Sequence, residues 1–99
     1  MDAKQLLSKI DIKEFCDRHG VRSFSIFGSY ARGEATSQSD LDVLVEFNHP
    51  VSLLKHVEIQ QELELELGVR VDVLTPAGLN HLLKERILNS RKLIYEKAG

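Results

Sequence analysis

Gly28-Ser29, then ten residues, then Asp40-Leu41-Asp42 is the feature that most constrains this 99-residue chain. Ser25-Ile26-Phe27 precedes the glycine and Val43-Leu44-Val45 follows the second aspartate. Both flanks read as buried strands, so a small-residue turn and a pair of carboxylates share one short stretch. A third acid, Asp72, lies inside another strand-like run, Val69-Arg70-Val71-Asp72-Val73-Leu74. A turn able to cradle phosphates beside three convergent acids points to metal-dependent chemistry on a nucleoside triphosphate.

The rest of the chain is read around that core. Residues 3 to 19 read as one helix, with Ile12, Phe15, Cys16 and His19 at helical spacing, Asp2 as start cap and Gly20 as stop. Val21 to Phe27 reads as a strand, Gly28 ends it, and Ser29 to Arg32 begins a short helix. Gly33 to Ser39 is a polar loop, and Leu41 to Phe47 is the second strand. Asn48-His49-Pro50 is a turn. Residues 51 to 67 form the clearest helix, with Leu53, Leu54, Val57, Gln61 and Leu65 along one side and Gly68 as its C-terminal cap. Val69 to Leu74 is the third strand, and Thr75-Pro76 breaks it. A last helix starts near Ala77 to Asn80, with Leu79, Leu82, Leu83, Arg86 and Ile87 at helical spacing. Leu93-Ile94-Tyr95 either continues that helix or forms a short extended tail. The order predicts one α/β (α+β) layer domain spanning residues 1–99.

Composition excludes several classes. The apolar share of 42% suffices for one core. No apolar run approaches the roughly 18 residues of a membrane span. The N-terminus lacks the apolar region of a secretory signal. Cys16 is the single cysteine, so no internal disulfide forms, and a reducing cytoplasm fits. A formal net charge of −2 disfavours a long nucleic-acid partner, whose backbone calls for a basic excess. His19, His49, His56 and His81 lack metal-ligand spacing and read as surface or half-buried side chains.

The chemistry is argued from residue types. Asp40 and Asp42, two apart on a strand, point to one side, about 6.6 Å apart by the strand rise. Carboxylates suit Mg²⁺, which keeps waters and substrate phosphates in its remaining positions. A pair of such ions suits in-line phosphoryl chemistry. Asp72 supplies a third carboxylate, its neighbours Val71 and Val73 facing the core. Gly28 lets backbone approach a ligand closely. Ser29 adds a hydroxyl and a helix-start N–H, and Arg32, one turn on, offers a bidentate fork to phosphate. The structural alternatives are a turn cap for Asp40 and buried salt bridges to Arg22, Arg32 or Arg70. Asp is depleted in strands, so Asp42 and Asp72 inside apolar runs ask for a partner.

Phe27-Gly28-Ser29-Tyr30-Ala31-Arg32-Gly33-Glu34-Ala35-Thr36, followed by Ser39-Asp40-Leu41-Asp42-Val43-Leu44-Val45, resembles the minimal nucleotidyltransferase family of the DNA polymerase beta superfamily. The resemblance runs from the first helix to Tyr95, with no departure from the core motif. It implies a mixed sheet flanked by helices, a nucleotide cleft at one edge, and transfer of a nucleoside monophosphate with release of pyrophosphate. It implies that Gly28 and Ser29 hold the β and γ phosphates and that Asp40 and Asp42 bind two Mg²⁺ ions. Asp72 would bind the ion nearest the acceptor and help deprotonate its hydroxyl. Minimal members of this kind resemble antitoxins that transfer AMP from ATP to a tyrosine of a partner HEPN-domain ribonuclease toxin. Two alternatives stand beside that reading: a small-molecule nucleotidyltransferase with a separate substrate subunit, and an antitoxin that masks its toxin by contact alone. The resemblance leaves room for a homo-oligomer.

Glu58, Glu62 and Glu66 form an i, i+4 series of like charge, with Glu64 beside them. Their mutual repulsion, and the helix dipole at Glu64 and Glu66, would be relieved by a basic partner. The other reading is a solvated face.

Overall fold

The computed structural model describes residues 2–98. A four-stranded mixed sheet has the order β3-β2-β1-β4, with β1 Val21–Phe27, β2 Leu41–Phe47, β3 Val71–Leu74 and β4 Lys92–Glu96. β1 runs antiparallel to both β2 and β4, whereas β2 and β3 are parallel. Parallel strands require a crossover, and the helix α4 (Leu53–Leu67) supplies it. None of the described helices is long and apolar enough to cross a membrane.

One face of the sheet carries the main core. Phe24 and Ile26 of β1, Leu41, Val43 and Val45 of β2 and Val71 of β3 cluster with residues of α1 (Ala3–Leu7), α2 (Ile12–His19) and α4. Strand alternation then sends Ser23, Ser25, Leu44, Asp42 and Asp72 to the other face. There α5 (His81–Ser90) buries Ile87, and Leu44 is 1% exposed. The central strand β1 is thus covered on both sides, which is why its apolar and small polar residues are alike buried.

Several expectations are corrected. The helix read over residues 3 to 19 is two helices. Asp11 takes an extended conformation and its side chain accepts from the Glu14 N–H, starting α2 afresh. The break lets Lys9 Nζ reach the Leu67 carbonyl at the end of α4 (3.3 Å). Helix α4 starts at Leu53 behind the N-cap Ser52, and β3 starts at Val71 rather than Val69. The last helix starts at His81 behind Asn80, after a 3₁₀ turn at Pro76–Gly78. Leu93-Ile94-Tyr95 is extended and forms edge strand β4.

The largest correction concerns α4. The side marked by Leu53, Leu54, Val57 and Leu65 does not pack; these residues are 80%, 68%, 43% and 86% exposed. Ile59, Leu63 and Leu67, spaced at i, i+4, i+8, face the sheet instead. The helix is apolar on two sides, and only the β-branched and leucine ridge that meets β2 and β3 is used.

The acidic series on α4 is also partly consumed internally. Arg18 of α2 grips Glu62 through both nitrogens, at 2.9 and 2.6 Å. His19 Nε2 lies 3.0 Å from Glu62, while its Nδ1 accepts from Lys55 Nζ at 2.7 Å. Glu64 accepts from the Val71 N–H at 3.0 Å, tying the end of α4 to the start of β3. Two of the four acids are therefore structural and not part of a solvated row.

The clasp has a pH signature. Hydrogen bonding from Arg18, and then from His19, holds the Glu62 carboxyl well down, at about 2. A depressed carboxyl contributes stability above its unfolded value and loses it as pH falls through the folded one. Glu62→Gln is expected to lower unfolding free energy at pH 7 by about 1 kcal/mol, the scale of a partly exposed, well-aligned pair. In urea titrations the gap between wild type and variant should close between pH 4.5 and 2. A gap that persists unchanged at pH 2 would remove the charge from the explanation.

Candidate active site

The site is built where β1 ends, α3 (Gly28–Arg32) begins and β2 starts. Phe27 pairs with Asp42 across the β1–β2 ladder, and Asp42 pairs with Asp72 across the β2–β3 ladder. Paired residues point to the same face, so Asp42 and Asp72 stand side by side, about 4.8 Å apart at the backbone by strand spacing. This is the face opposite the main core, as expected from the valines around Asp72.

Gly28 is required twice over. Its φ is +71°, a region that side chains disfavour. A Cβ there would also collide with the Asp42 carboxylate. The turn therefore presses backbone against the acid, and only glycine permits it. Helix α3 follows at once, and no side chain caps its first turn among the described residues. Its leading N–H groups are left for another acceptor. Buried Tyr30 anchors the helix, and the Glu34 N–H bonds the Ser29 carbonyl at 2.9 Å. Ser29 itself is half-buried at the mouth of this turn.

The loop between the Gly-Ser turn and the aspartates is closed by its own hydroxyls. The Thr36 N–H donates to Ser39 Oγ at 2.9 Å, and the Ser39 N–H donates to the Thr36 carbonyl at 3.1 Å. It delivers Asp40 just ahead of β2, where the Leu41 N–H bonds the Arg70 carbonyl (2.8 Å). Arg70 Nε lies 3.0 Å from Asp40 Oδ1, an ion pair. Its angle falls short of a hydrogen bond, and that oxygen is buried with no hydrogen-bond partner among the described residues. Of the three arginines proposed as salt-bridge partners, Arg70 is the one that pairs, and it pairs with Asp40. Arg32 is exposed and bonds Glu34 at 3.2 Å.

The electrostatics are unbalanced. Burial pushes the Asp42 carboxyl up, the charges of Asp72 and then Asp40 push it further, and Arg32 opposes them. Three crowded carboxylates with one paired cation, Arg70 on Asp40, are an arrangement that a further cation would balance. The described residues hold no group of three His, Cys, Asp or Glu side chains closed on one point. The site is instead an open row of carboxylates beside free N–H groups. That donor set fits Mg²⁺, a hard ion that takes one or two carboxylates and fills its other positions with water and substrate phosphate. The buried Asp40 oxygen, which has no hydrogen bond beside its ion pair with Arg70, and the raised carboxyl of Asp42 are the observations that support the fit.

Reading by residue type missed the supporting groups. Arg70 was seen only as one of three arginines. Arg91, at the end of α5, approaches Ser25 Oγ at 3.5 Å and Glu46 at 3.6 Å, on the same face as Asp42. Its place depends on β4 lying beside β1, which helical periodicity near the C-terminus obscured.

Residues 9–94 match the sequence family described as the nucleotidyltransferase domain. The chain belongs to that family, and it is a nucleotidyltransferase. A Methanocaldococcus jannaschii protein that carries the provisional name protein adenylyltransferase is 56% identical over 72 residues, 73% of this chain and 77% of its own. The protein adenylyltransferase MntA of Thermococcus cleftensis is 43% identical over 83 residues, 84% of this chain and 82% of its own. A solved structure provisionally described as a minimal nucleotidyltransferase superposes with a TM-score of 0.78 at 41% identity, covering 96% of each chain. The same fold recurs, at 19% identity and a TM-score of 0.71, in a complex of a tri-AMPylated Shewanella oneidensis HEPN toxin with its MNT antitoxin, over 94% of this chain and 73% of that one.

Gly28→Ala tests the geometry. It forces a side chain into the left-handed region, a cost of about 1–2 kcal/mol, and displaces the Asp42 carboxylate. Urea unfolding should show that loss, and calorimetric titration with a non-hydrolysable triphosphate and Mg²⁺ should show binding lost. Gly33→Ala, also at positive φ but with open space around it, should share the stability loss and keep binding. Equal binding by both variants would separate the Gly28 turn from the triphosphate.

Proposed function

We propose that this chain is a protein adenylyltransferase that moves AMP from ATP, with two Mg²⁺ ions, onto a tyrosine hydroxyl of a partner HEPN ribonuclease toxin and so acts as its antitoxin. The observation that carries the reading is the contact between the Gly28 turn and Asp42. It puts the uncapped start of α3 and a row of crowded carboxylates at one point. The adenylyltransferase names of relatives at 56% and 43% identity support the nucleotide and the protein acceptor. The toxin complex that shares the fold supports the class of partner.

In this reading Gly28 and Ser29 hold the β and γ phosphates through the N–H groups of α3 and the Ser29 hydroxyl. Arg32, exposed at the end of that helix, swings from Glu34 to the phosphate oxygens. Asp40 and Asp42 would hold the two ions, with Asp72 completing the site on the acceptor side. The ions, when bound, neutralise the triphosphate and the charge that develops in transfer. The acceptor oxygen bonds to the α-phosphorus, the bond from that phosphorus to the bridging oxygen breaks, and pyrophosphate leaves. Asp72 is exposed on the open side of β3 and takes the acceptor proton. Arg70, 3.0 Å from Asp40, holds that side chain in place as β2 begins.

Asp42→Asn tests the assignment. Incubation with ATP labelled at the α-phosphate, Mg²⁺ and the partner toxin should label the toxin in wild type. The variant should lose at least ~100-fold in rate, the scale of removing one electrostatic contributor from a preorganised site. Because burial and two neighbouring acids already disfavour the Asp42 charge, the variant should unfold in urea no earlier than wild type. Undiminished labelling by a folded variant would sink the site; label appearing only on a small molecule would redirect the acceptor.

A further inference from the structure

We propose that two copies of this chain pair through α4, antiparallel and related by a two-fold axis, on the side of the molecule away from the carboxylates.

Helix α4 meets the sheet through Ile59, Leu63 and Leu67. Diametrically opposite runs a second stripe: Leu54, Glu58, Gln61 and Leu65. Leu54 and Leu65 are 68% and 86% exposed, and Val57 borders them at 43%. A helix apolar on two sides is a helix covered on two sides. The intervals of the stripe are 4, 3 and 4, so it reads the same in both directions. An antiparallel copy therefore sets Leu54 against Leu65 of the second chain and Glu58 against its Gln61, with each contact made twice. This is the pairing of a and d positions in an antiparallel two-helix seam, and it is self-complementary as two-fold symmetry demands.

The polar centre suits the same occupant. Gln61 offers an amide N–H to the facing Glu58 carboxylate, and Lys55 Nζ lies 3.8 Å from Glu58 in its own chain. The axis thus passes between balanced groups, and the polar pair selects one register. Glu62 and Glu64, the acids that would otherwise border the seam, are held by Arg18 and by the Val71 N–H. The choice of a second copy over the toxin follows from position. The toxin's hydroxyl must reach Asp42 and Asp72, which lie on the opposite face of the sheet from α4. Two leucines and the bordering Val57 offer far less than the ~800 Å² per partner of a standard interface. The pair therefore dissociates on dilution.

Sedimentation velocity on the full chain tests this. Wild type should be dimeric near ~100 µM and dissociate toward monomer at ~1 µM, a range set by weak association. Leu65→Asp and Leu54→Lys should each be monomeric at the higher concentration, with unchanged far-ultraviolet circular dichroism and unchanged ATP–Mg²⁺ binding. Mixing the two variants should restore a dimer, because L54K of one chain faces L65D of the other while the second leucine contact stays intact. A monomeric wild type at ~100 µM overturns the pairing, including the case where the stripe binds the toxin instead. Variants that remain dimeric, or a mixture that stays monomeric, overturn the register.

Discussion

The approach of the Gly28 backbone to the Asp42 carboxylate is the contact around which the rest is arranged. It needs a residue without Cβ, a strand that stops at Phe27, and a second strand whose first inward acid pairs with that last residue. The self-closed loop of Thr36 and Ser39 returns the chain with the right slack. The helix that leaves Gly28 starts without a side-chain cap, so its N–H groups and the carboxylates confront the same space. Anion-seeking and cation-seeking groups sit side by side, an arrangement that carries a cost which ligands of both signs would offset.

That cost is visible at Asp42, whose carboxyl is pushed up by burial and by two like-charged neighbours. The α2–α4 contact avoids such conflict. Glu62, no less central to its own contact, is gripped by Arg18 and His19 and pushed down to about 2. The contrast separates two uses of acids in one small domain. Those that join α2 to α4 have cations supplied from within the fold; those at the strand ends do not, apart from Arg70 beside Asp40. Crowded, partly buried like charge is a functional mark.

Helix α4 carries a parallel lesson about apolar surface. Its inner ridge completes the core beneath β2 and β3, and its outer ridge leaves leucines in solvent. The carboxylates and the outer ridge of α4 lie on opposite sides of the sheet, so the proposed catalysis and the proposed pairing occupy separate surfaces.

The strand boundaries at Val21–Phe27 and Leu41–Phe47, the short helix after Gly28 and the shared face of Asp42 and Asp72 were legible in the sequence, because they follow from local rules. Strands alternate, glycine admits positive φ, and apolar runs between polar turns have few other structures. What the local rules left open is what depends on a distant partner. The break at Asp11 is a capping choice that helical periodicity across residues 3 to 19 conceals. Which side of α4 packs is undecidable from its own residues, since both sides are apolar; the sheet selects Ile59, Leu63 and Leu67, which join one core cluster with Val43, Val45 and Val71. Leu93-Ile94-Tyr95 became a strand because β1 offers it an open edge, and Arg70 found Asp40 because β3 runs parallel to β2. Periodicity and turn chemistry act over one element and can be read there; a choice between two apolar faces, two edges or three arginines is made by the surface on the other side, which only the tertiary structure supplies.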